Sequence, residues 1–95
     1  KDKRFTGATT DGIVWTPSVG CAVVVRDVVF TTSETATVTL FFGDNAEGNR
    51  IVDGDFASNS GIAHSFTDVR GAKDEPLLVT TSAGNLKIVV VGYEA

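Results

Sequence analysis

The amino-acid sequence predicts an all-β domain. Valine, isoleucine and threonine make up 30 of the 95 residues, against four leucines and no methionine, and β-branched side chains favour pleated strands over helices. Ten glycines mark turns at short intervals along the chain, as is typical of sandwiches and barrels. A chain of this length has room for one hydrophobic core, and we therefore expect a single domain.

The strongest strand signal lies between Cys21 and Phe42, a stretch of 22 residues with neither glycine nor proline. Its first part is a β-branched run that ends at Phe30. Its second part, residues 35–42, alternates apolar and polar residues with the period of two that is expected of a strand. The polar residues 31–34 separate the two parts, and we therefore expect residues 21–42 to form a β-hairpin.

Shorter strand signals occur on both sides of this hairpin. Residues 1–12 are polar and predict an N-terminal arm, or a short edge strand, that precedes a sandwich domain over residues 13–95. The other strands are expected at residues 13–16, 50–53, 56–57, 62–66, 77–81 and 86–93. About eight short strands with connections of mixed length favour a two-sheet antiparallel β-sandwich of jelly-roll type. An immunoglobulin-like sandwich is the main alternative, but the chain lacks the paired cysteines.

The charge of the chain and the length of its apolar runs disfavour two classes of partner. Twelve acidic and eight basic residues give a net charge of −4, and the basic residues cluster only in the N-terminal Lys1-Asp2-Lys3-Arg4. Binding to nucleic acid normally needs clustered lysine and arginine, so no nucleic-acid partner is expected. The apolar runs are only a few residues long, so no membrane partner is expected either.

No residue pattern indicates catalysis. The single histidine, His64, is followed by Ser65, but nothing in the sequence marks the third group that a nucleophilic triad needs. His64 is instead expected to be a structural residue on a half-buried strand. The sequence therefore predicts no catalytic residue.

No metal or cofactor site is expected either. The acidic residues Asp44, Glu47, Asp53 and Asp55 do not follow the order of a calcium-binding loop, and we expect them in solvated turns. Cys21 is the only cysteine, so it cannot form an internal disulfide and is expected to be a buried, inert thiol.

Several predicted strands carry apolar residues on both faces, notably Val23–Val25, Val28–Val29 and Val89–Val91. Antiparallel sandwiches usually keep one face polar, so this surplus favours a subunit interface, with a covering loop as the alternative. The candidate interface residues are Val24, Phe41, Val89 and Val91, in a homo-oligomer that is most simply a trimer. A β-bulge at Arg26-Asp27 would let both charges point outward.

Aromatic residues suggest a second kind of surface. Trp15, Phe41 and Tyr93 could together form a platform on which a sugar ring stacks. The alternative, which the residue types favour, is that these three side chains belong to the core or to an interface.

Four stretches of the chain resemble a known group of proteins. They are Trp15-Thr16-Pro17, residues 28–36, residues 76–84 and residues 89–94. Together, over residues 13–93, they resemble the small jelly-roll structural proteins of tailed bacteriophages, and within that group the capsid decoration or cement proteins. The resemblance is one of strand rhythm and involves no catalytic motif.

This resemblance implies a non-enzymatic virion protein on the outer capsid surface, made in the host cytoplasm and often oligomeric. Such a protein binds the major capsid protein and clamps neighbouring capsid subunits against the pressure of the packaged genome. The best candidate for the capsid contact is the N-terminal arm, at Lys1, Lys3, Arg4 and Phe5. A carbohydrate- or receptor-binding jelly-roll module of a phage or bacterium is the alternative, and it would expose an aromatic residue beside polar loops.

Overall fold

The computed structural model describes all residues from 1 to 95 and contains eight β-strands. They are β1 (Asp2–Thr6), β2 (Thr9–Trp15), β3 (Val23–Thr32), β4 (Ala36–Phe42), β5 (Arg50–Phe56), β6 (Ser60–Arg70), β7 (Leu77–Thr81) and β8 (Asn85–Glu94). The remaining regular element is a three-residue 3-10 helix, Glu47–Asn49. None of the helical residues belongs to a segment long and apolar enough to span a membrane. The predicted all-β fold is confirmed.

The strands form two four-stranded antiparallel sheets packed face to face. Sheet I has the order β1-β8-β3-β6, and sheet II has the order β2-β7-β4-β5. The pairs β4·β5, β3·β6, β2·β7 and β1·β8 are those of one long hairpin whose tip is the β4–β5 connection. Rolling that hairpin into two layers gives the strand order of a jelly roll, so the predicted type of sandwich is confirmed.

The expected hairpin over residues 21–42 is wrong. β3 pairs with β6 and β8 in sheet I, whereas β4 pairs with β5 and β7 in sheet II. Residues 33–35 carry the chain from one sheet to the other, and the Ser33 N–H donates to the Asn85 carbonyl over 3.1 Å. Each strand has an apolar face to bury, and a two-stranded hairpin alone would leave that face in water.

The hydrophobic core lies between the sheets and contains 15 buried residues. Its largest fully buried side chains include Phe30, Leu40, Leu77, Leu86 and Ile88. Phe30 packs edge to face against Phe56, with ring centroids 4.9 Å apart, which joins the core of sheet I to the edge strand of sheet II. Sheet-on-sheet packing of this kind buries alternate residues of β8, while in β4 and β7 consecutive residues are buried.

The predicted bulge at Arg26-Asp27 is confirmed. The register of β3 shifts between Val25 and Asp27 against both of its neighbours. Before the bulge the inward residues include Val23 and Val25, and after it they are Val28 and Phe30. One extra residue therefore changes which positions of β3 point to the core, and this accounts for part of the two-sided valine pattern.

Residues 1–12 are not a separate arm, and the predicted boundary at residue 12 is absent. β1 pairs with β8 in continuous register, and β2 runs without interruption from Thr9 through residue 12 to Trp15. Phe5 packs against the core over Gly12, where a Cβ would lie only 2.7 Å from the Phe5 Cε1 atom. Backbone pairing to β8 and one inward aromatic ring order this polar segment within the sandwich.

Candidate association surface

An exposed row of apolar side chains lies on the outer face of sheet I. It consists of Val29 on β3 and of Val89, Val91 and Tyr93 on β8, whose exposures are between 42% and 53%. Val29 and Val89 are directly opposite each other in register. We call these four residues the outer strip.

The outer strip follows from the strand pattern. On β8, Leu86, Ile88 and Val90 point into the core, so Val89 and Val91 must point away from it. A favourable cross-strand pair contributes roughly 0.2–1 kcal/mol relative to a pair of alanines. The Val29–Val89 pair stabilises sheet I in this way, and about half of each side chain still contacts solvent.

Charged residues border the outer strip at both ends. At one end Arg4 and Lys87 are opposite each other on β1 and β8, and neither has an acidic partner within 4.0 Å. At the other end Arg26 binds Asp68 over 3.2 Å, and the Tyr93 hydroxyl donates to the same carboxylate over 3.3 Å. The Arg26 guanidinium also lies 5.9 Å from the Tyr93 ring centroid. An apolar centre with a charged rim is the usual layout of a protein interface.

The four predicted interface residues fall into two groups. Val89 and Val91 belong to the outer strip, as described above. Val24 is on the same outer face but is only 2% exposed, between Tyr93 and Arg70 in register. The long side chains of these register neighbours leave a valine little surface.

Phe41 is also unavailable for contact with another subunit. It lies outside the cluster between the sheets, in register with Leu78 and Arg50, and is fully buried within the chain. The assignment of Phe41 and Val24 as interface residues is therefore wrong for the folded chain. Val29, which was not among the four predicted residues, is exposed on the outer face, because the bulge at Arg26 turns it outward.

The predicted capsid-contact residues do not form one surface. Lys1, Lys3 and Arg4 are exposed, whereas Phe5 is half-buried against the core. The Lys1 ammonium lies 5.7 Å from the ring centroid of the buried Trp15, and Lys3 shares its register with the inward residue Ile88. Arg4 is the member that sits on the outer face beside the outer strip, because its register partner is Lys87.

The residues weighed for catalysis do not form a site. The His64 ring is exposed and packs edge to face on Phe66 at 4.6 Å, and the Ser65 hydroxyl donates to Asp27 over 2.6 Å. Neighbouring residues of a strand point to opposite faces, so His64 is not placed to activate Ser65. His64 is more exposed than the half-buried position that its pattern predicts.

The acidic residues and the cysteine also stay apart. Asp53 and Asp55 accept hydrogen bonds from the hydroxyls of Thr39 and Thr37, over 2.9 and 2.6 Å. No group of three or more histidine, cysteine, aspartate or glutamate side chains is placed to hold a metal ion. Cys21 is free and only half-buried, so the expectation of a buried thiol is wrong. It lies just before β3, outside the strands of the sandwich.

The proposed aromatic platform is absent. Trp15 is buried in the core and Phe41 is fully buried, while Tyr93 is on the outer face of sheet I. The three rings therefore do not share a surface on which a sugar could stack. The core alternative is correct for Trp15.

A polar cavity of about 380 Å³ opens near the β3–β4, β5–β6 and β7–β8 connections. It is lined by Thr31, Thr32, Ser33, Asn59, Asn85 and Lys87, with no apolar side chain. The Ser33 oxygen accepts the Asn85 backbone N–H, and the Asn85 side-chain oxygen accepts the Gly7 N–H. The Asn85 amide group and the Lys87 ammonium thus remain as hydrogen-bond donors.

Comparison with known proteins gives no relative for this chain. No protein-family model, curated protein or solved structure matches it. Its function is therefore inferred from the fold and from the surfaces described above.

Proposed function

We propose that the chain is a non-enzymatic structural protein of a bacteriophage virion. It would decorate the outer surface of the capsid and stabilise the particle through contacts with the major capsid protein and with copies of itself. The observation that carries this proposal is the outer strip, four half-exposed apolar residues on the face of a rigid sheet. The jelly-roll strand order and the resemblance to phage decoration proteins support it.

The outer strip suits association because it combines apolar surface with side chains that lose little conformational entropy on binding. Removing apolar surface from water stabilises a complex by about 25 cal/mol per Å². Valine has one side-chain torsion, and the strands already fix the backbone, so docking costs less conformational entropy than ordering a flexible loop. Arg4 and Lys87 at one end would add charge pairing with an acidic patch on the capsid.

Binding alone would be enough for such a protein to stabilise a capsid, without any catalysed reaction. A protein that binds the assembled capsid and not its dissociated subunits shifts the equilibrium toward the assembled state by mass action. Self-association, as a trimer in the assembly that the resemblance implies, multiplies the number of capsid contacts per bound unit. Its location would be the outer capsid surface, after synthesis in the host cytoplasm.

Placing lysine at both Val29 and Val89 is expected to abolish the stabilisation of capsids by this protein. Each substitution puts a charge into an interface that would be desolvated on binding. Capsids produced without this chain should disrupt at a higher temperature when wild-type protein is added, and not when the Val29→Lys/Val89→Lys variant is added. Val19→Lys is the matched control, because Val19 is 97% exposed and lies outside the outer strip.

Two results would contradict this proposal. If wild-type protein leaves the disruption temperature unchanged, the decoration function is wrong. If Val19→Lys fails as completely as the double variant, the effect of lysine is not specific to the outer strip. Retained folding of all variants is checked by their thermal unfolding transitions.

A second candidate function, binding of a sugar, is favoured by one observation, the polar cavity. Hydroxyl and amide side chains suit the hydroxyl groups of a sugar, and Lys87 is the charged group in the lining. The ligand class that fits best is therefore a sugar carrying a carboxylate, since this would pair with the lysine. This function would belong to a receptor-binding module.

The sugar-binding candidate predicts a difference between two monosaccharides. Glucuronate is expected to shift the backbone NMR signals of Asn59, Asn85 and Lys87 at millimolar concentration, whereas glucose shifts them less. Lys87→Gln should weaken glucuronate binding by about tenfold, the equivalent of one charge-assisted hydrogen bond. Lys73→Gln, on an exposed loop, is the control. Equal, negligible shifts with both sugars would rule this candidate out.

A further inference from the structure

Each sheet has two edge strands, and three of these four edges carry features that oppose pairing with another chain. β1 presents charged residues at Asp2, Lys3 and Arg4, and β5 presents Arg50, Asp53 and Asp55. β2 has two register shifts, and Asp11 within it has a positive φ of 54°. Charged residues and bulges are the usual means by which proteins block an exposed strand edge.

The fourth edge, β6, has both protections at its C-terminal end, where its register against β3 shifts between Ser65 and Val69 and Asp68 has a positive φ of 44°, but it has neither over residues 60–65. Residues 60–65 pair with β3 in unbroken register, from Ser60 opposite Thr32 to Ser65 opposite Asp27. The segment 60–67 contains no lysine, arginine, aspartate, glutamate or proline. β3 is the one strand paired with β6, so its other side presents backbone N–H and C=O groups to solvent.

The side chains of β6 also leave apolar surface at this edge. Ile62 and Phe66 point toward the core and are only partly buried, because β6 is the last strand of sheet I. Ala63 and His64 are exposed. A further strand beside β6 would satisfy the backbone groups and extend the apolar cover over Ile62 and Phe66.

We infer that β6 is the docking edge for a second copy of this chain. Two β6 strands would pair antiparallel about a two-fold axis normal to sheet I and make a continuous eight-stranded sheet. A second copy fits because the uncharged segment 60–67 meets itself without repulsion. With the axis at His64, Asp68 and Arg70 would lie near residues 58–60 of the partner copy, which carry no charge.

This pairing has a structural consequence for the outer strip. An axis normal to the sheet keeps the same face of both copies on one side, so the two outer strips would face the same direction. The two-fold edge contact is distinct from the trimer that the resemblance implies. It does not depend on the capsid proposal, since it concerns the chain alone.

The inference predicts that lysine on β6 dissociates the dimer. Ala63→Lys and His64→Lys, tested singly, should raise the dimer dissociation constant by about tenfold or more, because two-fold symmetry places each new charge in the interface twice. The measurement is sedimentation equilibrium over a range of protein concentrations. Thr10→Lys is the matched control, because Thr10 is an exposed residue on the bulged edge strand β2.

Hydrogen exchange of the wild-type chain supplies a test without any variant. Amides within residues 60–67 that point away from β3 should exchange more slowly at high protein concentration than at low concentration. A chain that stays monomeric, or a dimer whose β6 amides exchange at one rate throughout, would overturn the inference. So would an oligomer that Val29→Lys dissociates and that both β6 variants leave intact. The capsid measurement above is separate, so failure of either proposal can be recognised.

Discussion

Phe30→Ala is expected to lower the free energy of unfolding by about 3–5 kcal/mol. Phe30 is fully buried on the central strand β3, and its ring packs edge to face on Phe56 at 4.9 Å. The substitution removes this contact and leaves a cavity that close-packed neighbours fill only in part. Since a small domain is stable by only roughly 5–15 kcal/mol, the loss is a large share of the total.

Chemical denaturation monitored by Trp15 fluorescence measures this effect, because Trp15 belongs to the same buried cluster. Val29→Ala is the control: Val29 is the next residue along β3 but points to solvent. Its substitution should cost less than about 1 kcal/mol. Comparable losses for the two variants would contradict the assignment of inner and outer faces on β3.

Deleting residues 1–6 is expected to destabilise the chain by about 3 kcal/mol or more. The deletion removes β1, so Phe5 is lost from the core and the edge of β8 opens at Leu86 and Ile88. This outcome is the opposite of what a disordered arm predicts, since removal of such an arm leaves the folded core unchanged. The conformational entropy of the deleted residues offsets part of the loss, and the apolar surface exposed on β8 outweighs it.

The thermal midpoint should fall by about 12 °C or more, since 1 kcal/mol corresponds to roughly 4–8 °C in a domain of this size. The control keeps the strand and removes its charge: Lys3→Ser/Arg4→Ser should stay within about 1 kcal/mol of wild type. An unchanged midpoint after deletion would mean that β1 contributes nothing to the sandwich.

Strand positions were predicted far better than strand partners. The pattern at residues 77–81 matches β7, and the predicted turn at residues 82–85 correctly separates it from β8. These positions follow from local alternation and turn residues. Pairing is different, because it depends on which apolar faces meet once all the strands are present. The three-residue link at Ser33–Thr35 looks like a hairpin turn in sequence, yet it carries the chain between sheets.

The outer strip was predicted only in part, because local alternation indicates some of its residues and the packing of distant strands decides the others. Val89 and Val91 alternate with buried residues on an unbroken strand, so their outward direction is readable from the sequence. Val29 was not among the predicted interface residues, although the predicted bulge three residues earlier is what turns its side chain outward. The exposure of Val24 and Phe41 was overestimated, because alternation indicates the face on which a residue lies but not what covers that face.

The sequence alone determined that the chain is a β-protein with an apolar excess, because these properties depend on residue types and their local period. Tertiary structure decided the rest. It ordered residues 1–12 as part of β1 and β2, because β8 and the core supply partners that lie far away in sequence. It also left residues 60–65 of β6 as an edge without charges or a bulge, because an edge exists only once the order of strands in the sheet is set.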